Sequence, residues 1–485
     1  MKTISLLGAA AALYAAAGLV CGVNILLPAK FDTAPLVFLL IFLAVSLCFC
    51  FIIVKFKIKT AYACAGFFAL SFLFQSLLSA NMRIVGESDL RLYYDNALRL
   101  YQNSFRYVSL YSAAFPGNIT YPALLALCFK IFGVHRAIPV LLNQFAMSAT
   151  VAVIYPFMRR RHGALGGAVC AALLAVHPFV IIYCGVCSAE ILYCACVIWC
   201  FVSFGYAMDK FREAGARRYF AIPALFLGFS VFFRPLGVIL LAALLIYLLF
   251  FSGIKFRASL AVCAVPLAGF VIFSLISGAV VKQITTYDAP KSSFGWNLYV
   301  GASAAGKWNP DDSAEFDRVL AAAQTPTEIQ AYFAGAALAR YGRMGPAALW
   351  HGFGKFYRWY AAEYVAQETA LVKPPPAPPP VLLFKRDDYI VPVILYYIPI
   401  LFLAAAFCAA AFIRAFFRKR DEFMVLALYT AGSFAAFNFL ELAPRYTVSY
   451  HIMFTLLAFE LAVMIVKPAR RILSRDYQEY QNSYK

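Results

Sequence analysis

What most constrains this chain is a repeated alternation of apolar runs about 20 residues long with short clusters of Lys and Arg. A helix of that length crosses the hydrocarbon layer of a bilayer. Hydrophobic residues make up 63% of the chain and charged residues 13%, whereas soluble domains are roughly half apolar and about a quarter charged. The sequence therefore describes an all-α polytopic membrane protein. Its formal net charge of +19 would suit nucleic acid, but the cations sit between apolar runs, where cytoplasmic anchors meet anionic headgroups. No interleaved aromatic and basic stripe lies outside those runs, so membrane lipids are expected partners and nucleic acid is not.

Spans are expected at 4–27, 34–54, 61–81, 137–157, 164–183 and 189–208. Two short ones should meet at Arg234-Pro235, a ninth should end near Lys282, and three more should follow at 390–413, 423–441 and 447–466. The N-terminal run has the look of a signal peptide but no convincing cleavage site, and reads as the first span. With about twelve spans and both termini inside, each short basic loop is cytoplasmic. Those loops hold Lys55 to Lys59, Arg159 to Arg161, residues 209–218, Lys255 with Arg257, and residues 414–420. The larger aqueous parts then share the outer side: a first loop at 82–136 and a long one at 282–389. Within the first, 89–106 reads as an amphipathic helix and 121–132 as an interfacial segment too short to cross. The division expected is an added helix pair (1–60), a membrane core (61–281), the long outer loop (282–389), C-terminal spans (390–466) and a basic cytoplasmic tail (467–485).

Cysteine and proline carry little chemistry in this reading. Nearly all thirteen cysteines fall in apolar runs, where Cys behaves as a small hydrophobe, and the pair Cys184 and Cys187 has no second pair or His to complete a zinc site. The run KPPPAPPP, 373–380, reads as a stiff polyproline spacer. The ionisable residues that cannot be cytoplasmic anchors are more informative. Arg83, Glu87, Asp89, Arg91 and Asp95 follow the third span, Glu190 opens the sixth, Arg234 joins two short spans, and Glu441 and Arg445 lie between the last two. Charge near the hydrocarbon boundary is costly and often marks a substrate path, although Arg and Lys also snorkel to headgroups. Glu190 also suits the first turn of a helix, where the dipole favours an acid.

Six segments in this order resemble the GT-C superfamily of polyprenyl-phosphate-sugar-dependent glycosyltransferases, near the protein O-mannosyltransferases and lipid A aminoarabinose transferases. They are GESDLRLYYDNALRLY from Gly86, ITYPALLALCFKIFG from Ile119, YCGVCSAEILY from Tyr183, FRPLG from Phe233, GWNLYVGASAAGKWN from Gly295 and LAPRYTVSYHIMF from Leu442. The resemblance implies a GT-C-type helical bundle with outer interfacial helices. It implies inverting transfer of a sugar from a polyprenyl-phosphate-linked donor to a glycan, lipid or protein acceptor at the extracytoplasmic face of the plasma membrane of a bacterial cell. Asp89 occupies the place of the acid that meets the acceptor, with Glu87 as a second catalytic candidate. The family often has two adjacent acids there, whereas Ser88 separates them here, and the paired prolines common in relatives are missing at 119–122.

The resemblance also matches Arg445 and Tyr446 to the family's Arg-Tyr near the last outer turn. With Arg234 they are expected to bind the donor phosphate, which Arg suits through paired donors. Arg91, Tyr93, Glu190 and Trp296 are expected to contact acceptor or sugar, Trp296 equally suiting an aromatic anchor at the interface. A divalent metal is compatible, but no acid pair at ligand spacing stands out beyond Glu87 and Asp89. A lipid-linked polymer ligase or polymerase would share the topology. A lipid transporter would be expected to show internal repeats and helices broken near the midplane, and no clear repeat is present.

Overall fold

The computed structural model describes residues 34–81, 83–84, 89–290, 292–304, 306, 308–359, 372–373, 406, 421–441, 446, 450 and 452–466. It is a bundle of apolar helices. The membrane-length elements are α1 (Ala34–Lys55), α2 (Thr60–Asn81), α6 (Ala137–Ala175), α8 (Glu190–Ala214) and α11 (Phe256–Thr285). Between α2 and α6 lie α3 (Asp89–Gln102), α4 (Leu110–Ala114) and α5 (Gly117–Phe132). The short helices α9 (Ala221–Phe233) and α10 (Gly237–Ile246) precede α11, and α10 runs on into a π-helical turn, Tyr247–Phe251. After α11 come α12 (Phe294–Gly301), α13 (Pro310–Ala322), α14 (Pro326–Met344) and α15 (Ala347–Trp359), and later α16 (Phe423–Phe439) and an apolar helix at Ile452–Val466. Two two-residue strands, Arg83–Ile84 and Val372–Lys373, pair antiparallel and join the first loop to the end of the long one. The spans expected at 4–27 and 390–413, the proline run after Lys373 and the basic tail lie outside the described residues.

The helix α8 is apolar on every face and buried along most of its length, with Cys194, Cys196 and Cys200 packed in the core. A helix of that kind belongs at the centre of a bundle. By contrast α11 leaves Val271, Ile272, Leu275 and Ile276 exposed, a stripe suited to lipid. The two spans expected on either side of Arg161 form one element broken at Gly163, whose φ of 80° and ψ of 176° suit only glycine. The second of them is shorter than the sequence suggests. It stops at Ala175, and a separate turn of helix, α7 (Pro178–Cys184), follows. Pro178 explains the break, because a residue before proline is disfavoured in the α region and proline is at home in a first turn.

The basic clusters gather at one end of the bundle. Arg159 donates to Thr60 Oγ1 (2.6 Å), Arg160 pairs with Asp209 (2.9 Å), and Arg212 donates to Tyr247 OH (3.4 Å). Arg161 was expected to be a headgroup anchor like its neighbours. Instead it sits among three carboxylates, Asp421 at 2.8 Å, Glu422 at 3.1 Å and Glu460 at 3.2 Å, while His162 meets Glu460 at 2.8 Å. Arg212 also pairs with Glu422. This network ties α6 and α8 to the C-terminal helices. Glu190 and Arg212 lie near opposite ends of α8, which is about 37 Å long at 1.5 Å per residue. Glu422 and Glu441 likewise bracket α16. The far end of the bundle, around Glu190 and Glu441, is where helices from the 82–136 and 282–389 segments pack.

Candidate active site

At that far end the chain between α9 and α10 leaves the helical path. Arg234 is extended (φ −148°, ψ 136°) before Pro235, so its side chain projects from the junction of two short apolar helices. Thr120 Oγ1 on α5 donates to the Phe232 carbonyl (2.6 Å) and fixes the junction against the first loop. The Arg234 guanidinium pairs with the Glu190 carboxylate and donates to Tyr93 OH (2.8 Å). It lies 5.7 Å from the ring centroids of both Tyr93 and Tyr446, within cation–π range of each. Glu190 is buried at the first residue of α8. Tyr93 is presented by the buried face of α3, with Leu90, Ala97 and Leu100. Asn96 on that face donates to the Asn118 carbonyl (3.1 Å), holding α3 to the start of α5.

These groups border a cavity of about 350 Å³. One wall is mostly apolar and belongs to the bundle: Val231 to Phe233 and Val238 from α9 and α10, and Phe270 from α11, which also brings Ser274, Ser277 and Gly278. The opposite wall comes from the loops, with Tyr111, Phe115, Asn118, Phe294, Trp296, Asn297 and Trp308. Glu441 and Tyr446 close it from the C-terminal side. Glu441 accepts from Tyr446 OH (3.3 Å), and its amide donates to the Asn297 carbonyl (2.6 Å), which ties α12 and the end of α16 together. The cavity thus joins an apolar face on the bundle side to an aromatic and polar face on the loop side. A molecule with a hydrocarbon tail and a polar, ring-bearing head matches such a division.

Of the residues expected from the sequence, Tyr93, Arg234, Trp296 and Tyr446 line this one cavity, and Glu190 stands directly behind Arg234. Trp296 is 1% exposed and packs edge-on against Trp308, Phe316 and Phe333, each with centroids 4.7 Å away. Trp308 is the more open ring of the pair, 42% exposed. Arg91 is set apart: it is exposed, 3.6 Å from Asp95 on the solvent side of α3, and absent from the described cavity wall. Glu87 and Arg445 lie outside the described residues, and Asp89 is placed by its backbone alone, as the first residue of α3, four positions before Tyr93. Among the described residues no group of three or more His, Cys, Asp or Glu side chains could hold a metal. The sequence did not single out Asn118, Asn297, Ser274 or Ser277. For the two serines a signal existed, since with Gly278 they make a small, polar stripe at helical spacing in an otherwise apolar span.

Residues 117–277 match the family model of the dolichyl-phosphate-mannose-protein mannosyltransferases. The match covers about a third of the chain and includes α5, Glu190 and Arg234. It is a GT-C family, and over these residues the match bears out the resemblance read from the sequence. No curated protein matches the chain. Among solved structures, the archaeal oligosaccharyltransferase AglB from Archaeoglobus fulgidus, in complex with an inhibitory peptide and a dolichol-phosphate, aligns at 13% identity and a TM-score of 0.47. That alignment covers 86% of this chain and 52% of the other, so this chain spans about half the length of that enzyme. ArnT from Cupriavidus metallidurans in the apo state aligns at 14% identity and a TM-score of 0.37, covering 81% of this chain and 78% of that one.

Proposed function

We propose that this chain transfers a sugar, with inversion, from a polyprenyl-phosphate-linked donor to an envelope glycan, glycolipid or protein at the extracytoplasmic face of the membrane. The observation that carries the proposal is the setting of Arg234. Its guanidinium is held by Glu190, Tyr93 and Tyr446 at the border between the apolar and aromatic walls of the cavity. A lipid phosphate with its tail among α9, α10 and α11 would present its head there. The leaving phosphate needs fixed positive charge as its bond to the sugar breaks, and preorganised charge supplies this without reorganisation. Glu190 beneath Arg234 keeps the guanidinium oriented before any ligand arrives.

Charge supports that membrane face. Basic clusters at 55–59, 159–161, 210–218 and 255–257 occupy the end away from the cavity, and under the positive-inside rule such an end is expected to be cytoplasmic. A cysteine introduced at Glu213, in a background cleared of reactive native thiols, should resist an impermeant thiol reagent in intact cells. Labelling from outside would invert the orientation.

Arg234→Ala should weaken binding of a polyprenyl phosphate by roughly 10- to 100-fold, the worth of a charge-assisted hydrogen bond or two. Thermal stabilisation of the detergent-purified protein by that lipid measures it. Arg234→Lys should recover only part, because an ammonium lacks the guanidinium fork. Equal stabilisation of the wild type and Arg234→Ala would leave Arg234 as a structural ion-pair partner and remove the phosphate from this cavity.

A further inference from the structure

The long outer loop buries a lysine that the site above does not use. Lys355 on α15 is 1% exposed, and its Nζ donates to two backbone carbonyls, Gly301 at 2.9 Å and Leu440 at 3.1 Å. Among the described residues no carboxylate pairs with it. Both acceptors sit at helix C-termini: Gly301 ends α12, and Leu440 caps α16. Those carbonyls carry the negative end of each helix dipole, so one ammonium bridges two such ends. His351 Nε2 meets the same Gly301 carbonyl at 3.0 Å.

The three helices approach closely because glycines permit it. A Cβ on Gly301 would fall 2.2 Å from the Phe439 carbonyl oxygen, and one on Gly352 would fall 2.9 Å from Asn438. Gly306 (φ +65°) lies over the Lys355 stem, with room for no side chain. The residues tied here are immediate neighbours of the cavity wall. Trp296 and Asn297 are on α12, and Glu441 follows Leu440.

We propose that Lys355 is a positioning residue for the cavity: it clamps the C-termini of α12 and α16 together and thereby sets the wall formed by Trp296, Asn297 and Glu441. A buried ammonium is expensive, and hydrophobic packing would serve stability as well. What the ammonium adds is direction, since it holds two carbonyls at fixed distances on either side of the Asn297–Glu441 hydrogen bond. The link to substrate rests on the function proposed above; the clamp itself does not.

Burial pushes the Lys355 pKa down, to about 7, against about 10.4 for an unperturbed lysine. The native state therefore releases this proton first, and the site's contribution to stability grows as pH rises from about 7 towards 10. The titratable neighbours are His351 on the same helix, Tyr341, which donates to the Phe439 carbonyl, and Glu441 beyond Leu440. A neutral amine still has two N–H groups for its two carbonyls, so the clamp survives deprotonation.

Hydrogen exchange of the full-length protein in detergent tests the clamp. In Lys355→Met, the amides of Ala302 and Glu441 should exchange on the order of tenfold faster, while peptides at the basic end keep wild-type rates. Lys355→Arg, which keeps donors and charge, should restore much of the protection. The wild type should also gain thermal stability from pH 7 to 9, and Lys355→Met should lose that slope. Unchanged exchange in Lys355→Met would overturn the clamp. A polyprenyl phosphate then separates the two claims. If Lys355→Met loosens the wall yet is stabilised by the lipid as strongly as the wild type, positioning is refuted. If the wild type itself is not stabilised, the donor reading fails while the exchange data still judge the clamp.

Discussion

Glu190→Ala is expected to destabilise the folded protein by about 3–5 kcal/mol, because it strands the Arg234 guanidinium in a buried setting without its counter-charge. The pair is well shielded, with side-chain exposures of 4% for Glu190 and 12% for Arg234, so solvent screening offers little relief. Glu190→Gln should cost less, since the amide oxygen still accepts from the guanidinium. The informative variant is the double one. Glu190→Ala with Arg234→Met removes both charges and should be more stable than Glu190→Ala alone, a non-additivity that marks direct coupling. Unfolding of detergent-solubilised protein, followed by loss of tertiary signal, supplies all four corners of the cycle. Strict additivity would mean that the two side chains do not hold each other, and Glu190 would lose its orienting role.

The bundle was legible in the sequence because lipid is a demanding solvent. It forces long apolar runs, and the basic clusters between them declare which ends belong together. Arg234 was legible for a related reason: an Arg-Pro between two apolar segments has few places to be. Glu190 stood out as an acid opening an apolar helix. What stayed hidden depends on contacts between distant segments. Nothing in a run of three arginines says that Arg161 alone is enclosed by Asp421, Glu422 and Glu460. Nothing in the loop sequence says that Lys355 is buried, since its partners are backbone carbonyls that carry no residue code. The pairing of Asn297 with Glu441 through the main chain was invisible for the same reason. The break after Ala175 was readable from His177-Pro178, although a continuous apolar run conceals it.

On the function proposed above, Asp89 is the residue that would act as the base. A hydroxyl acceptor is a weak nucleophile, and a carboxylate that takes its proton typically contributes a hundred- to ten-thousand-fold. Asp89 is the first residue of α3. As a base it attacks nothing, so no covalent sugar–protein intermediate should form and the anomeric configuration should invert. Asp89→Asn keeps the size and removes the basic oxygen. Its rate should fall on the order of a hundredfold or more, with stabilisation by polyprenyl phosphate unchanged.

The most direct measurement follows lipid phosphate released from a panel of polyprenyl-phosphate hexoses and pentoses. It is made in membranes of the native cell, which supply the acceptor, with wild-type protein or Asp89→Asn as the only difference. The wild type should consume at least one donor, with the sugar's configuration inverted in the product, and Asp89→Asn should be slower by about a hundredfold or more. Donor consumption at the same rate with either protein, or product of retained configuration, would contradict the proposed mechanism.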